Sequence, residues 1–456
     1  MRIITNQNED DIHIEKVQHI FKRFMIDTLI IDNIRPKFSM KWFVAQNRPL
    51  SIFYNMYNNG FTVPKFNRFD ERDNFYRFWC DFVKVPSEFK SIWEQYEYVE
   101  GLPQPIQKSL EWFTMRANFI TASAGAQAIG ESKYDPPLEL IKAKIGLGKK
   151  FEENFNVHHG KKLESIATLI YEYIYNVKVG EFGLVPHIAK PQISYLGASP
   201  DGICTCSTLD GQFSNLIGRM LEIKCVTSRQ INITGKEDGE ITPHYYWIQV
   251  QLQLECCDLE DCDFWQCKLK NYWSERLLNE AIQALDGTMH TREQGEHYTI
   301  NPQLEVGTMI ELMPNNAELK GKEKDVYYAA YIYPTELDCS MKEKIDWANN
   351  MKYNWKTHYP EFAEDYHFGK ILYYHLEKSH CYLIKRDRTW FKNTLPKFKA
   401  FWDEVLSYRN DPVKKNELIE QMAIKEAKRL EKVAEKEEMM RERHRNSHLL
   451  MDVDSD

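Results

Sequence analysis

The sequence predicts an α/β protein with a mixed central sheet flanked by helices. Two observations carry that expectation. Strand-like stretches, "ISYLGA" (193–198), "RMLEIKCV" (219–226) and "DFWQCKL" (263–269), recur between helix-like ones, and the helix-like stretch at 161–176 keeps Leu163, Ile166, Ala167, Ile170 and Ile174 on one face at helical spacing. A folded chain is further implied by 43% hydrophobic residues and by 24 Phe, 25 Tyr and 11 Trp, which set it apart from disordered compositions.

At 456 residues the chain can hold two or three average domains or one large α/β domain with extensions. Residues 1–100 are aromatic-rich and read as mainly helical, with "FYRFWCDFVKV" (75–85) as a packed segment, and "GLPQP" (101–105) punctuates a boundary. A helix over "IQKSLEWFTMRANF" comes next, followed by small residues where Thr121 is placed to cap a short helix. "YYWIQVQLQLECC" (245–257) reads as a helix and "KILYYHLEKSHCYLIKRD" (370–387) as a hairpin. Between 286 and 365 the pattern is irregular, as in an insertion into a domain spanning 101–412, and from 413 a densely charged tail reads as a solvated helix because apolar heptads are not sustained.

The formal charge of −8 excludes a wholly basic nucleic-acid coat but leaves room for a local cationic groove. The first 30 residues lack a secretory pattern, and no stretch reaches the roughly 18 apolar residues of a membrane span. A soluble intracellular protein is therefore expected. Cys204, Cys206, Cys256, Cys257, Cys262 and Cys267 cluster without Cys-x-x-Cys spacing and are expected to be core thiols. His158 and His159, read on a turn, and the "GLGKK" turn lack metal or phosphate-loop signatures.

Chemistry concentrates in "YLGASPDGI" (195–203) and "MLEIKC" (220–225). Alternation along a strand sends Glu222 and Lys224 to one side and Leu221, Ile223 and Cys225 to the other. Asp201 is read at the tip of the preceding strand, so pairing of the two strands would bring three charged groups together. Burying them uncompensated costs roughly several kcal/mol per ion, which implies a bound counter-charge. Two carboxylates and the backbone carbonyl of Ile223 are hard oxygen ligands suited to Mg²⁺ or Mn²⁺, and Lys224 would orient or deprotonate a water, or stabilise charge on phosphorus. Pro200 and Gly202 would shape the turn. Glu164, at the border of its helix's apolar stripe, is aimed at the same ion. Tyr246, Gln249 and Gln253 form a polar stripe that would hold water or the DNA backbone.

An Asp followed by Glu-x-Lys is the signature of the PD-(D/E)xK nuclease superfamily. The match extends through "EWFTMRANFITAS", "GKKLESIA", "GASPDGI", "LEIKC" and "YWIQVQLQL", whose order and spacing over about residues 105–270 resemble the lambda-type exonucleases, also called YqaJ-like viral recombinases. "IKRDRTWFKNTLPKFKAFWDEV" (384–405) further resembles the closing segment of members from large DNA viruses.

The resemblance implies a restriction-endonuclease-like core and a Mg²⁺-dependent deoxyribonuclease working 5'-to-3' on duplex DNA ends in viral recombination, repair or genome processing, in the host cytoplasm or nucleus. Asp201, Glu222 and Glu164 resemble the metal-binding acids, Lys224 the catalytic lysine, and Gln249 the glutamine after the core sheet. Arg116 and Ser123 resemble the positions that bind the 5'-phosphate, a chemistry suited to a guanidinium and a helix N-terminus. A trimer and a single-strand annealing partner are further implications. An endonuclease, a nuclease that also cuts RNA, and an inactive DNA-binding scaffold are the competing readings; four charges costly to bury together argue against the scaffold.

Overall fold

The computed structural model describes residue 83 and residues 85–451, except 103, 105–109, 149–153, 189–192, 210, 232–240, 242, 285–288, 293–294, 317–324 and 335–336. Of the mainly helical region expected at 1–100, residues 1–82 and 84 lie outside the described residues, as does nearly all of the segment 75–85. The described residues fall into two units, one of residues up to 123 together with 151–391, the other of 124–150 together with the residues from 392 on.

The larger unit is built on the sheet order β10-β9-β11-β7-β6-β5-β2, with β8 pairing β11 off this path. The strands are β2 (Val179–Gly180), β5 (Gly202–Cys204), β6 (Met220–Cys225), β7 (Asp261–Tyr272), β8 (Met289–Thr291), β9 (Val306–Pro314), β10 (Ala330–Ile332) and β11 (Tyr366–Lys385). Pairs β6–β7 and β8–β11 are parallel and the rest antiparallel, which makes the sheet mixed, as the sequence predicts. A separate small sheet joins β1 (Ile120–Thr121), β4 (Leu196–Ala198) and β3 (Val185–Pro186) in the order β1-β4-β3.

Helices of this unit include α1 (Lys90–Glu100), α2 (Leu110–Ala117), α5 (Phe155–Tyr175), α6 (His244–Cys257), α7 (Glu275–Ala284), α8 (Pro302–Glu305) and α9 (Met341–His358). The apolar stripe of α5 and the odd-numbered residues of β6 and β7, including Leu221, Ile223, Trp265, Cys267 and Leu269, form one core. A second core packs α9, through Ala348, Met351 and Trp355, onto Ile310, Leu312 and Ile332 of β9 and β10.

Several expectations are corrected. The hairpin at 370–387 is instead one 20-residue strand, β11, whose register shifts between Phe368 and Lys370 and between Leu376 and Lys378. Each shift re-aims the side chains that follow it, so the alternation is interrupted and resembles a turn. The irregular stretch 286–365 supplies β8, β9 and β10 to the main sheet. "ISYLGA" yields only a three-residue strand, and that strand belongs to the small sheet. Helix α5 begins at Phe155, where the Asn154 side chain accepts from the Val157 N–H at 3.1 Å, so His158 and His159 are helical and buried rather than on a turn. Thr121 lies in β1; the short helix α3 (Gly125–Ala128) has Ala124 at its N-cap and no side-chain cap.

In the smaller unit α4 (Pro137–Lys144) meets α10 (Arg388–Asn410), which begins in the larger unit, and α11 (Pro412–Met451). Arg409 donates to the Lys144 carbonyl at 2.7 Å and Lys415 to the Ile145 carbonyl at 3.1 Å, so two cations satisfy the carbonyl end of α4. Most of α11 through residue 440 is exposed, as a solvated helix should be. The described cysteines are free, eight of them buried and Cys225 half-buried, in keeping with core thiols.

Candidate active site

The strand that pairs with β6 follows Asp201 and does not precede it. Gly202 stands opposite Leu221 and Ile203 opposite Met220, so Asp201 sits just past the point where β5 pairing stops. There the Ile223 N–H has no strand partner, and the Asp201 Oδ2 accepts from it at 2.7 Å. The Ile223 amide thus fixes Asp201, while the carbonyl expected to serve as a metal ligand is the other polar group of that residue. Gly202 has no positive φ; it is needed because a Cβ would run into Val179 of the neighbouring β2.

Glu222 is 1% exposed and both of its oxygens are occupied. Oε1 accepts from Gln249 Nε2 at 2.6 Å and from the Lys224 ammonium; Oε2 accepts from Gln253 Nε2 at 2.6 Å. Gln249 and Gln253 stand at i and i+4 on α6, so one helix face delivers two amides to one carboxylate. The sequence stripe predicts these polar groups but assigns them to water or DNA. Their actual partner, Glu222, is missed because only the packing of α6 over β6 reveals it. Gln253 is fully buried, and its Oε1 has no hydrogen-bond partner among the described residues.

Lys224 also lies over the Tyr246 ring, 5.0 Å from its centroid, and Arg229 lies over the same ring at 5.4 Å. Burial alone would lower the Lys224 amine, but Glu222 and Asp201 outweigh it and hold the amine above its ordinary range. Glu164 is half-buried on α5, and burial foremost, then the charges of Glu222 and Glu164, push the Asp201 carboxyl well above the usual range. Cys225 is raised by the same surroundings, burial first and then Glu164 and Asp201.

Among the described residues no three His, Cys, Asp or Glu side chains stand ready to hold a metal ion. The expected ligand trio is present as a charge cluster, with the Glu222 oxygens turned to Gln249, Gln253 and Lys224 and an Asp201 oxygen to Ile223. The donor chemistry nonetheless fits a hydrated divalent cation. The hard carboxylates of Asp201 and Glu222 act on one ammonium, Glu222 Oε2 keeps a further lone pair, and the orphaned Gln253 carbonyl can accept from a water.

Arg116 lies on α2 and Ser123 just after β1, which pairs with Leu196 and Gly197 of β4. The Arg116 guanidinium lies 4.2 Å from the Trp112 ring centroid, one helical turn away on α2, and burial lowers its pKa. Ser123 is exposed, with its Oγ 3.4 Å from the Thr121 hydroxyl.

The family model described as the YqaJ-like viral recombinase domain matches residues 111–260, a span that contains Arg116, Ser123, Glu164, Asp201, Glu222, Lys224 and Gln249. Over that span the chain is similar to YqaJ-like viral recombinases. Beyond it, the chain is 37% identical over 325 residues to uncharacterized protein R354 of Acanthamoeba polyphaga mimivirus, a match covering 71% of this chain and 56% of that relative's length. Two solved structures, both 18% identical, cover 68% of this chain and all of theirs: LHK-Exo in complex with dAMP, at a TM-score of 0.33, and an alkaline exonuclease (LHK-Exo) from Laribacter hongkongensis, at 0.34. Among the described residues no helix is long and apolar enough to cross a membrane.

Proposed function

We propose that the recombinase domain is a metal-dependent deoxyribonuclease that hydrolyses phosphodiester bonds as a 5'-to-3' exonuclease on duplex DNA ends. The observation that carries this reading is the buried Glu222–Lys224 pair on β6, with Asp201 bonded to the Ile223 amide between them, inside the matched span; Glu164 acts on the Asp201 charge. An excess of buried negative charge destabilises a fold, so it persists where a function requires it.

In this reading Asp201, Glu222 and Glu164 hold a Mg²⁺ or Mn²⁺ ion, which when bound supplies Lewis-acid stabilisation of the scissile phosphate. Lys224 orients or deprotonates the attacking water, or stabilises charge gathering on the phosphoryl oxygens. Gln249 shares the carboxylate of the Glu222–Lys224 ion pair and the Tyr246 ring shares its ammonium, so neither charge is committed to the pair alone. Arg116 and Ser123 take the 5'-phosphate of the strand end.

The test uses linear duplexes labelled at either end, incubated with the purified protein with and without Mg²⁺. Mg²⁺-dependent loss of nucleotides from the 5' end, abolished by Lys224→Ala with the melting temperature retained, is the expected result. Cleavage undiminished in Lys224→Ala overturns the assignment. A closed circular duplex and a labelled RNA in parallel separate exonuclease action from endonuclease and RNase activity.

A further inference from the structure

The carboxylate of Glu222 is held from both sides by one helix, and the two amides that hold it are not equivalent. Gln249 shares Oε1 with Lys224, so an acceptor already engaged by a cation receives a second donor. Gln253 is the donor to Oε2. A carboxylate can only accept, which obliges the amide nitrogen of Gln253 to face it and turns the amide carbonyl the other way. That carbonyl is buried beside the acid cluster with no donor reaching it among the described residues. Burying an amide with one half unmatched is costly, and a leucine or methionine would fill the same space without that cost. The chain therefore keeps Gln253 for what its two ends do together: one end fixes the plane of Glu222, and the other presents an acceptor to whatever enters the cluster.

We propose that Gln253 is a positioning residue that sets Glu222 to receive a hydrated divalent cation, with its Oε1 accepting from a water of that cation's shell. The inference rests on the nuclease reading above and adds to it a residue one turn beyond Gln249. Lys224 pulls Oε1 towards itself; without Gln253 the carboxylate is free to rotate and give both oxygens to the ammonium. With Gln253, Oε2 is anchored to the helix and keeps a lone pair directed away from Lys224. The predicted consequence concerns cation affinity before it concerns the chemical step.

The experiment measures Mn²⁺ binding to the full chain without DNA, by calorimetry and by the paramagnetic resonance of free Mn²⁺, for wild type, Gln253→Met and Gln253→Asn. Gln253→Met keeps the volume and removes both polar ends; Gln253→Asn keeps both but withdraws them by one methylene, and serves if the methionine variant does not fold. Loss of a hydrogen-bonded supporting group around a metal typically weakens affinity about 10–100-fold, and a weakening of about tenfold in either variant, with unchanged melting temperature, is expected. In the cleavage assay the half-saturating Mn²⁺ concentration rises correspondingly, excess Mn²⁺ restores most of kcat, and KM for DNA stays constant. A purely structural glutamine would move none of these in a folded variant. Wild-type Mn²⁺ affinity in a folded Gln253→Met or Gln253→Asn overturns the inference while leaving the nuclease reading in place. A wild-type protein that neither binds Mn²⁺ nor cleaves DNA overturns both.

Discussion

Two clusters of buried charge in the larger unit invite comparison, because one is closed and the other is not. Arg386, just after β11, is 3% exposed and grips Glu255 with two parallel hydrogen bonds of 2.8 and 2.7 Å; its third nitrogen donates to Asp258 at 2.6 Å. Burial alone would lower the guanidinium, yet these partners more than offset it and hold it above its ordinary range. The buried charges are one plus and one minus, Asp258 and Glu260 reach water, and every nitrogen of Arg386 has a carboxylate. Around Glu222 the same types of group are arranged with three acids to one base, an Asp201 carboxyl pushed upward and an amide carbonyl unmatched. The first arrangement fastens the end of β11 to the end of α6. The second holds charge in a state that folding alone would not choose. Unbalanced charged neighbours, more than burial as such, separate a working site from a strut.

The sharpest way to break this contrast is to neutralise one charge in each cluster. Asp201→Asn removes a repelled carboxylate, so cleavage should fall by about 10³–10⁴-fold while the melting temperature rises by a few degrees, as happens when strained functional groups are replaced. Activity and calorimetry on the same preparation check both signs, and a fall in melting temperature would contradict the contrast. Arg386→Met should do the reverse. It strands Glu255 without its cation, costing about 3–5 kcal/mol of stability, and the folded fraction should cleave at the wild-type rate when assayed well below its melting temperature.

A smaller effect comes from acid. Burial, above all, lowers His159 and His380 to about 4. Because these values lie below that of an unfolded histidine, near 6.5, the unfolded chain binds more protons between those limits and stability is lost as the pH falls through that window. Each should contribute about 1 kcal/mol at pH 5.5. Urea titrations at pH 7.5 and 5.5 should therefore show a flatter pH dependence in His380→Gln than in wild type. The mildest change expected is at Arg116. Arg116→Ala should leave cleavage of 5'-hydroxyl ends intact and erode the preference for 5'-phosphorylated ends by about tenfold, the loss of roughly one charge-assisted contact; competition between the two labelled ends reads it directly.

How legible the site was in the sequence depends on how local each relationship is. Strand alternation is a property of adjacent residues, so Glu222 and Lys224 on one side of β6, and Leu221 and Ile223 on the other, could be read directly. Helical spacing likewise gives the apolar stripe of α5, with Glu164 at its border, and the polar stripe of α6. The strand partner of β6 was misjudged, because "ISYLGA" looks more like a strand than the three residues after Asp201 that do the pairing. The 20-residue β11 was hidden by its two register shifts. The histidines at 158 and 159 gave no periodic signal of their own, and their burial follows from an asparagine cap set four residues earlier.

By itself, the sequence determined the local periods, the order of acid, acid and lysine along the chain, and the cysteines' character as core thiols, since each follows from residues within a few positions of one another. Only the tertiary structure decided that Asp201 caps an amide beyond the end of β5, that Gln249 and Gln253 share Glu222, and that Arg386 closes its own network. Those contacts join residues 22 to 131 positions apart, and which of the many polar groups on a helix meets a given carboxylate is fixed by how helix and sheet pack, a relationship that no local pattern encodes.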